Sequence, residues 1–303
     1  MDAVVIRKMR IEDKPRVVEI CKTVFGGTDY VPHEFEQYLE DPCNHFVAAE
    51  VEGVVVGTLN LRIIDTGTTG WLYALRVDPG CRGKGYATII MAEMTRRAVH
   101  EYGVKKVRYS AASYSTASIH MAIKDGMRAI DIVAYFRTIR VLETADILRE
   151  NAVASTNLVK IDARVLYDDL MKLDVGERAL LVPSGTVNHN WKFFDLLPEM
   201  ETTLADTEIY ATYTGDAGRL SSFSISGLAL NSALGGNWSV SIFVVEPELC
   251  VTHLKTHIDV CTQKDIKDFQ TFLPMKFQGW LSDTGLLGLA KETGPITVSL
   301  FEK

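Results

Sequence analysis

The stretch Val77-Asp78-Pro79-Gly80-Cys81-Arg82-Gly83-Lys84-Gly85-Tyr86-Ala87 decides how the chain is read. Before it, Trp71 to Val77 has the β-branched, aromatic and apolar make-up of a strand, closed by the turn residues Asp78-Pro79-Gly80. After it, apolar residues at 87, 90, 91, 94 and 98 mark one face of an amphipathic helix over 87–102. A glycine-rich loop between a strand and a helix lets the main chain come close to a bulky anion. The first amides of the helix lack partners of their own and sit at the positive end of its dipole. A pyrophosphate placed there gains charge-assisted hydrogen bonds, and Arg82 and Lys84 add positive charge at the mouth. A dinucleotide fingerprint needs Gly-x-Gly-x-x-Gly after the first strand, and a nucleoside-triphosphate loop needs Gly-Lys-Ser/Thr; this loop is neither.

Working outward, Ala3 to Lys8 predicts a first strand. Glu12 to Pro15 opens a helix with Val17, Val18, Ile20, Cys21 and Val24 on one face. His33 to Leu39 predicts a short second helix. Phe46 to Val51 and Val54 to Ile64 are strands joined by Glu52-Gly53, a tight hairpin signal. Lys106 to Ala111 is a strand, Ser115 to Asp125 a helix stopped at Gly126, and Ala129 to Val141 one or two further strands. The order β-α-α-β-β-β-α-β-α-β predicts an α/β (α+β) fold. Its sheet is mixed, mostly antiparallel and flanked by helices, with a parallel pair at the strand-helix-strand crossover.

The 303 residues are enough for two domains of about 150 each, here divided at 1–145 and 146–303. A helix over 144–151 links them. The second half predicts strands near 155–161, 179–183, 208–214, 221–230, 239–245 and 296–301, with helices near 163–172, 248–261 and 263–272. It carries no second glycine loop. Apolar residues are 47% and charged residues 23%, which argues against disorder. A net charge of -7 argues against nucleic acid or an anionic membrane surface as partner. The five scattered cysteines make no Cys-x-x-Cys pair, so neither a zinc site nor a disulfide framework is indicated. With no apolar stretch long enough for a leader or a membrane span, a cytoplasmic protein is expected.

The Arg-x-x-Gly-x-Ala run from Arg82 to Ala87 is similar to the pyrophosphate-binding motif of the GNAT acetyltransferases, and the element order through residue 141 resembles their fold. The resemblance implies acetyl-coenzyme A as cosubstrate. The main chain of Leu75, Arg76 and Val77 would line the pantetheine arm. Arg82, Gly83, Lys84, Gly85, Tyr86, Ala87 and Thr88 would hold the phosphates, and the Val77 N–H would face the thioester oxygen. A narrower likeness runs through Phe25 to Pro32, Tyr38 to Pro42, and Pro183 to Thr186 with Trp191. These stretches resemble the histidine-acetylating vertebrate members of the family. That implies transfer of acetyl to the α-amine of a small free amino acid, histidine first, and a second half that is a degenerate GNAT-like copy closing the acceptor pocket. A peptide N-terminus or a polyamine is the alternative acceptor, and a non-catalytic acetyl-coenzyme A-binding module the contrasting class.

Attack on a thioester requires a neutral amine, so a base or a water relay is expected. The position that many family members give to a carboxylate holds Tyr73 here, and the family's tyrosine acid aligns near Ala122. Tyr73 is read either as an active hydroxyl or as a packed strand aromatic, and His120 either as a proton acceptor or as an ordinary histidine. Asp29 and Tyr30 are placed at the acceptor ammonium, and Trp191 with its neighbours Asn188, His189 and Asn190 at the pocket roof. His253 and His257 share a helical face but lack the Glu of a zinc-protease motif.

Overall fold

The computed structural model describes residues 3–150, 157–215, 218–229, 236–284 and 296–303. The first half runs β1 (Val5–Lys8), α1 (Lys14–Cys21), α2 (Phe35–Glu40), β2 (Asn44–Val51), β3 (Val54–Ile64) and β4 (Thr69–Val77). It continues with α3 (Tyr86–His100), β5 (Lys106–Ala112), α4 (Thr116–Lys124), β6 (Arg128–Thr138) and α5 (Val141–Glu150). The second half runs β7 (Val159–Ile161), α6 (Ala163–Lys172), α7 (Val175–Leu181), β8 (Thr186–His189), β9 (Lys192–Asp195) and α8 (Met200–Thr203). It ends with β10 (Glu208–Thr214), β11 (Arg219–Ala229), β12 (Asn237–Val244), α9 (Pro247–Gln263), β13 (Phe269–Pro274), α10 (Gln278–Asp283) and β14 (Ile296–Glu302).

Twelve strands form one sheet in the order β1-β2-β3-β4-β5-β14-β6-β13-β12-β11-β10-β7, and β8-β9 is a separate hairpin. Each half has the same pattern. Four strands pair antiparallel, and the fourth then runs parallel to a fifth across a helix: β4 with β5 across α3, and β12 with β13 across α9. The sixth strands are exchanged. β14, from the second half, lies between β5 and β6, while β6, from the first half, lies between β14 and β13.

The sequence pattern explains the packing. α3 buries Tyr86, Ile90, Met91, Met94 and Ala98 against Leu59, Leu61 and Leu72 of the sheet. α1 and α2 cover the opposite face through Val17, Ile20, Phe35 and Tyr38. A shared core joins Trp71 and Tyr135 of the first half to Leu166, Phe193, Phe223, Phe272 and Leu300 of the second, so the two halves meet through buried apolar contact.

Two expectations are corrected. Residues 263–272 were expected as a helix; Phe269–Pro274 is strand β13, paired on both sides by β12 and β6. Tertiary pairing overrides local periodicity there. The strand expected over 179–183 is instead the end of α7, whose Asp174 and Glu177 form a reciprocal capping box. The expected 155–161 strand lies partly outside the described residues, and β7 occupies Val159–Ile161.

Candidate active site

β4 and β5 pair only through Thr69–Lys106, Gly70–Val107 and Trp71–Arg108. Beyond that point they part, which opens a gap along the second half of β4. A bulge makes this edge: the β3–β4 register slips between Thr58 and Asn60, and Ala74 adopts φ +56°. The Asp78 N–H bonds Val56 O at 2.9 Å. Since successive strand amides alternate in direction, the N–H groups of Val77 and Leu75 are turned the other way, into the gap.

The gap leads directly to the loop. Gly85 caps α3 in the left-handed region at φ +82°, and Gly83 has φ +78°. A Cβ built on either glycine would meet nothing within 4 Å, so the space above both is open. The first helical bond is Ile89 N–H to Gly85 O at 3.2 Å, which leaves the amides of Tyr86, Ala87 and Thr88 ahead of the hydrogen-bonded ladder. Arg82 and Lys84 are exposed beside them, while the Tyr86 ring is buried in the core, so only its main chain faces the loop. Asp78 steadies the turn by accepting from Gly80 N at 2.7 Å and from Arg16. These features fit a diphosphate.

The second half has no such cradle. Only Val245 and Glu246 separate β12 from α9, and Glu246 and Glu248 bring carboxylates to the helix start, where a diphosphate would be repelled. The α9 histidines are spent internally. His253 bonds Ser222 at 2.9 Å and Ser224 at 2.8 Å, and His257 bonds Ser224 at 2.8 Å. Burial holds both neutral, each pKa pushed down to about 3. Among the described residues no cluster fit for a metal ion occurs.

The other face of β4 carries a polar cluster. The Tyr73 hydroxyl donates to Asn44 Oδ1 at 3.0 Å and accepts from Asn60 Nδ2 at 2.8 Å. Burial raises its pKa, so Tyr73 is a neutral phenol rather than a base. Tyr38 stacks edge-on to Tyr73 at 5.4 Å and donates to Glu34. Burial raises the Glu34 carboxyl above its ordinary range, despite the Tyr38 bond and the positive charge of Lys192. Asp29 is 3% exposed and holds Arg76 through two bonds of 2.6 and 2.8 Å. Arg76 in turn lies between the rings of Phe25 and Tyr30 at 5.3 and 5.2 Å. The Asp29 carboxylate is therefore committed to Arg76, and Tyr30 to the same stack, rather than both lying free for an ammonium.

The β8–β9 hairpin reaches over this face from the second half. Its base is clamped: Asp195 binds Lys106 at 2.5 Å and Arg108 at 2.8 Å. Arg108 is 3% exposed and also holds Glu302 at 2.9 Å and Asp65 at 3.5 Å. At the tip, the main chain of Trp191 accepts from Ser110 at 2.9 Å, and its ring packs on Tyr135 and Phe272 at 5.1 and 5.6 Å. Trp191 is thus a wedge between the halves. Lys192 is the residue that faces Tyr73, its Nζ 5.5 Å from the ring centroid.

Of the sequence-derived residues, the structure brings the loop, Leu75 and Val77 to one cleft, and Asp29, Tyr30 and Tyr73 to one face of β4. His120 is exposed on α4, and among the described residues no hydrogen bond joins it to the Tyr73 cluster. Glu34, Asn44, Asn60, Tyr109 and Lys192 were missed. Tyr109 is the first β5 residue past the point where β4 and β5 part, and burial raises its pKa. Only Asn60, a polar residue between Leu59 and Leu61, carried a signal in the sequence.

Comparisons agree with this geometry. Residues 12–127 match the Acetyltransferase (GNAT) family, so that part of the chain is a GNAT acetyltransferase domain. The whole chain shares the fold of a tandem GNAT protein from the clavulanic acid biosynthesis pathway. Its TM-score is 0.58 at 14% identity, covering 99% of this chain and 98% of that one. Curated relatives include a histidine N-acetyltransferase of Xenopus tropicalis, 31% identical over 91 residues, which are 30% of this chain and 28% of that protein. Another, from Scomber australasicus, is 23% identical over 208 residues, 65% of this chain and 61% of that protein. The chain thus spans less than two thirds of these relatives. Among the described residues no helix is long and apolar enough to cross a membrane.

Proposed function

We propose that the chain is an N-acetyltransferase that moves acetyl from acetyl-coenzyme A to the α-amine of a small free amino acid, histidine being the first to test. The observation that carries this is the parting of β4 from β5, with the Leu75 and Val77 amides facing the gap and the open α3 amides at its end. The Arg82–Thr88 main chain would bind the diphosphate, the free edge of β4 the pantetheine arm, and the Val77 N–H the thioester oxygen as it gains negative charge. The relatives' names support histidine. The hairpin lying over Tyr73 supports a small acceptor rather than a peptide. A cytoplasmic location belongs to the same reading.

In this reading the amine lone pair forms the new C–N bond at the thioester carbonyl, and the C–S bond breaks to release the thiolate. The amine proton passes to Glu34, whose raised pKa brings it nearer to the working pH. Tyr73 serves as a neutral hydrogen-bonding group at the amine. Tyr109, whose pKa burial also raises, returns a proton to the thiolate. His120, as an exposed side chain, takes no step.

The test is release of free coenzyme A thiol with single amino acids, polyamines and peptides as acceptors. Turnover with one free amino acid supports the proposal. Tight acetyl-coenzyme A binding with no turnover on any acceptor would make the chain a binding module instead.

A further inference from the structure

Lys192 lies over the Tyr73 ring, and Tyr38, which packs edge-on against the same ring, donates to Glu34; Lys192 and Glu34 make no ion pair with each other. Among the described residues the Lys192 ammonium has no hydrogen-bond or ion-pair partner; it lies over the Tyr73 ring. The nearby cation, Arg62, is already paired with Asp41. Beside the Tyr73 hydroxyl, Asn60 is 0% exposed with its Oδ1 unpartnered, and Asn44 Nδ2 is also buried without a partner. A buried polar atom left unsatisfied is costly to the fold, so two such atoms beside an unpaired ammonium describe a place shaped for a ligand rather than for the fold.

The chemistry of that ligand follows from the charges. A cation with no anionic partner and a carboxylate held by the Tyr38 hydroxyl, with no ion pair between the two, suit a molecule with an anion and a cation at short separation. We infer that Lys192, carried by the second half's hairpin, binds the acceptor's carboxylate, so that an α-amino acid bridges Lys192 and Glu34 as a zwitterion over Tyr73. Burial pushes the free Lys192 amine down to about 8, and a bound carboxylate would raise it again. The inference rests on the acyl-transfer reading above and deepens it. The second half, having no phosphate cradle, supplies the group that chooses the acceptor.

The test uses two matched pairs of probes, histidine with histidinamide and alanine with alaninamide, which differ in the carboxylate alone. Each is titrated by calorimetry into the full chain saturated with coenzyme A, using wild type, Lys192→Met and Lys192→Arg. Lys192→Met keeps the apolar stem over Tyr73, and circular dichroism and the thermal midpoint establish that each variant is folded. The expected result is that Lys192→Met weakens the better-bound amino acid by about ten- to a hundredfold, the scale of one charge-assisted hydrogen bond, while its amide changes by less than about twofold. Lys192→Arg keeps most of the preference. Equal losses for acid and amide, or an acid preference that survives Lys192→Met, overturn the inference while leaving acyl transfer standing. Wild type that acetylates amines yet binds neither amino acid also overturns it, and wild type that acetylates nothing overturns the parent reading with it.

Discussion

Arg108 donates from Nε to Glu302 Oε2 at 2.9 Å, joining β5 to a strand 194 residues further along the chain. The same guanidinium reaches Asp195 at the foot of the hairpin and Asp65 after β3. One buried cation therefore ties together β5, the exchanged strand and the foot of the β8–β9 hairpin. Replacing it with Met leaves three carboxylates facing one another without their common partner. Urea unfolding of Arg108→Met should show a loss of about 3–5 kcal/mol. A loss below about 1 kcal/mol would mean that the cluster is solvated enough to stand without it.

The phosphate cradle makes a sharper prediction. Gly85→Glu both places a carboxylate in the open space above the α3 amides and forces a side chain into φ +82°. Coenzyme A affinity should fall by more than about a hundredfold, with repulsion of the diphosphate adding to the backbone strain. Gly85→Ala carries the strain without the charge and should lose much less. Equal losses in the two variants, read by calorimetry, would assign the effect to strain alone.

Removing the proton acceptor should change both rate and pH profile. Glu34→Gln is expected to lower kcat by about 10²- to 10⁴-fold. In wild type the acid limb of kcat/KM should lie above the usual carboxylate range, because burial raises Glu34. That limb should vanish in Glu34→Gln. An unchanged limb in that variant would transfer the role to another group.

Stability should depend on pH through buried histidines. His253 and His257 are pushed down to about 3 and His189 to about 4, all three from an ordinary value of 6.5, with burial the leading cause. Below pH 6.5 the unfolded chain takes up protons that the folded chain refuses. Their contribution is therefore complete above pH 6.5 and is lost as pH falls toward 4 and 3. The thermal midpoint should be flat with respect to these groups above neutrality and drop on the acid side. Replacing His257 with Asn should shallow that slope.

The loop, β4, α3 and the helix cap at Gly126 were legible because each rests on local rules: a strand-to-helix transition, a glycine-rich turn and a 3.6-residue apolar repeat. The expected element order matches strand for strand up to β6. What failed was non-local. β13 was misread as part of a helix, because only its two neighbours make it a strand. No strand was expected at the β8–β9 hairpin, although its Trp191 was expected at the roof. Lys192 and Glu34 meet only because that hairpin crosses to the other half, and no spacing in the sequence records the meeting. Asp29 was assigned to the acceptor because nothing in a linear chain tells it apart from a partner for Arg76.

The exchanged sixth strands also bear on how such a chain persists. As α9 begins two residues after β12, with acidic groups at its tip, the second half has parted with the means to hold a nucleotide carrier. It cannot be discarded on that account. β5 and β6 would each be left with a bare edge, and the Arg108 cluster would lose two of its three anions. A half without a phosphate cradle thus serves as masonry for the other, and on the reading proposed above its outermost hairpin is left to tell one guest molecule from another.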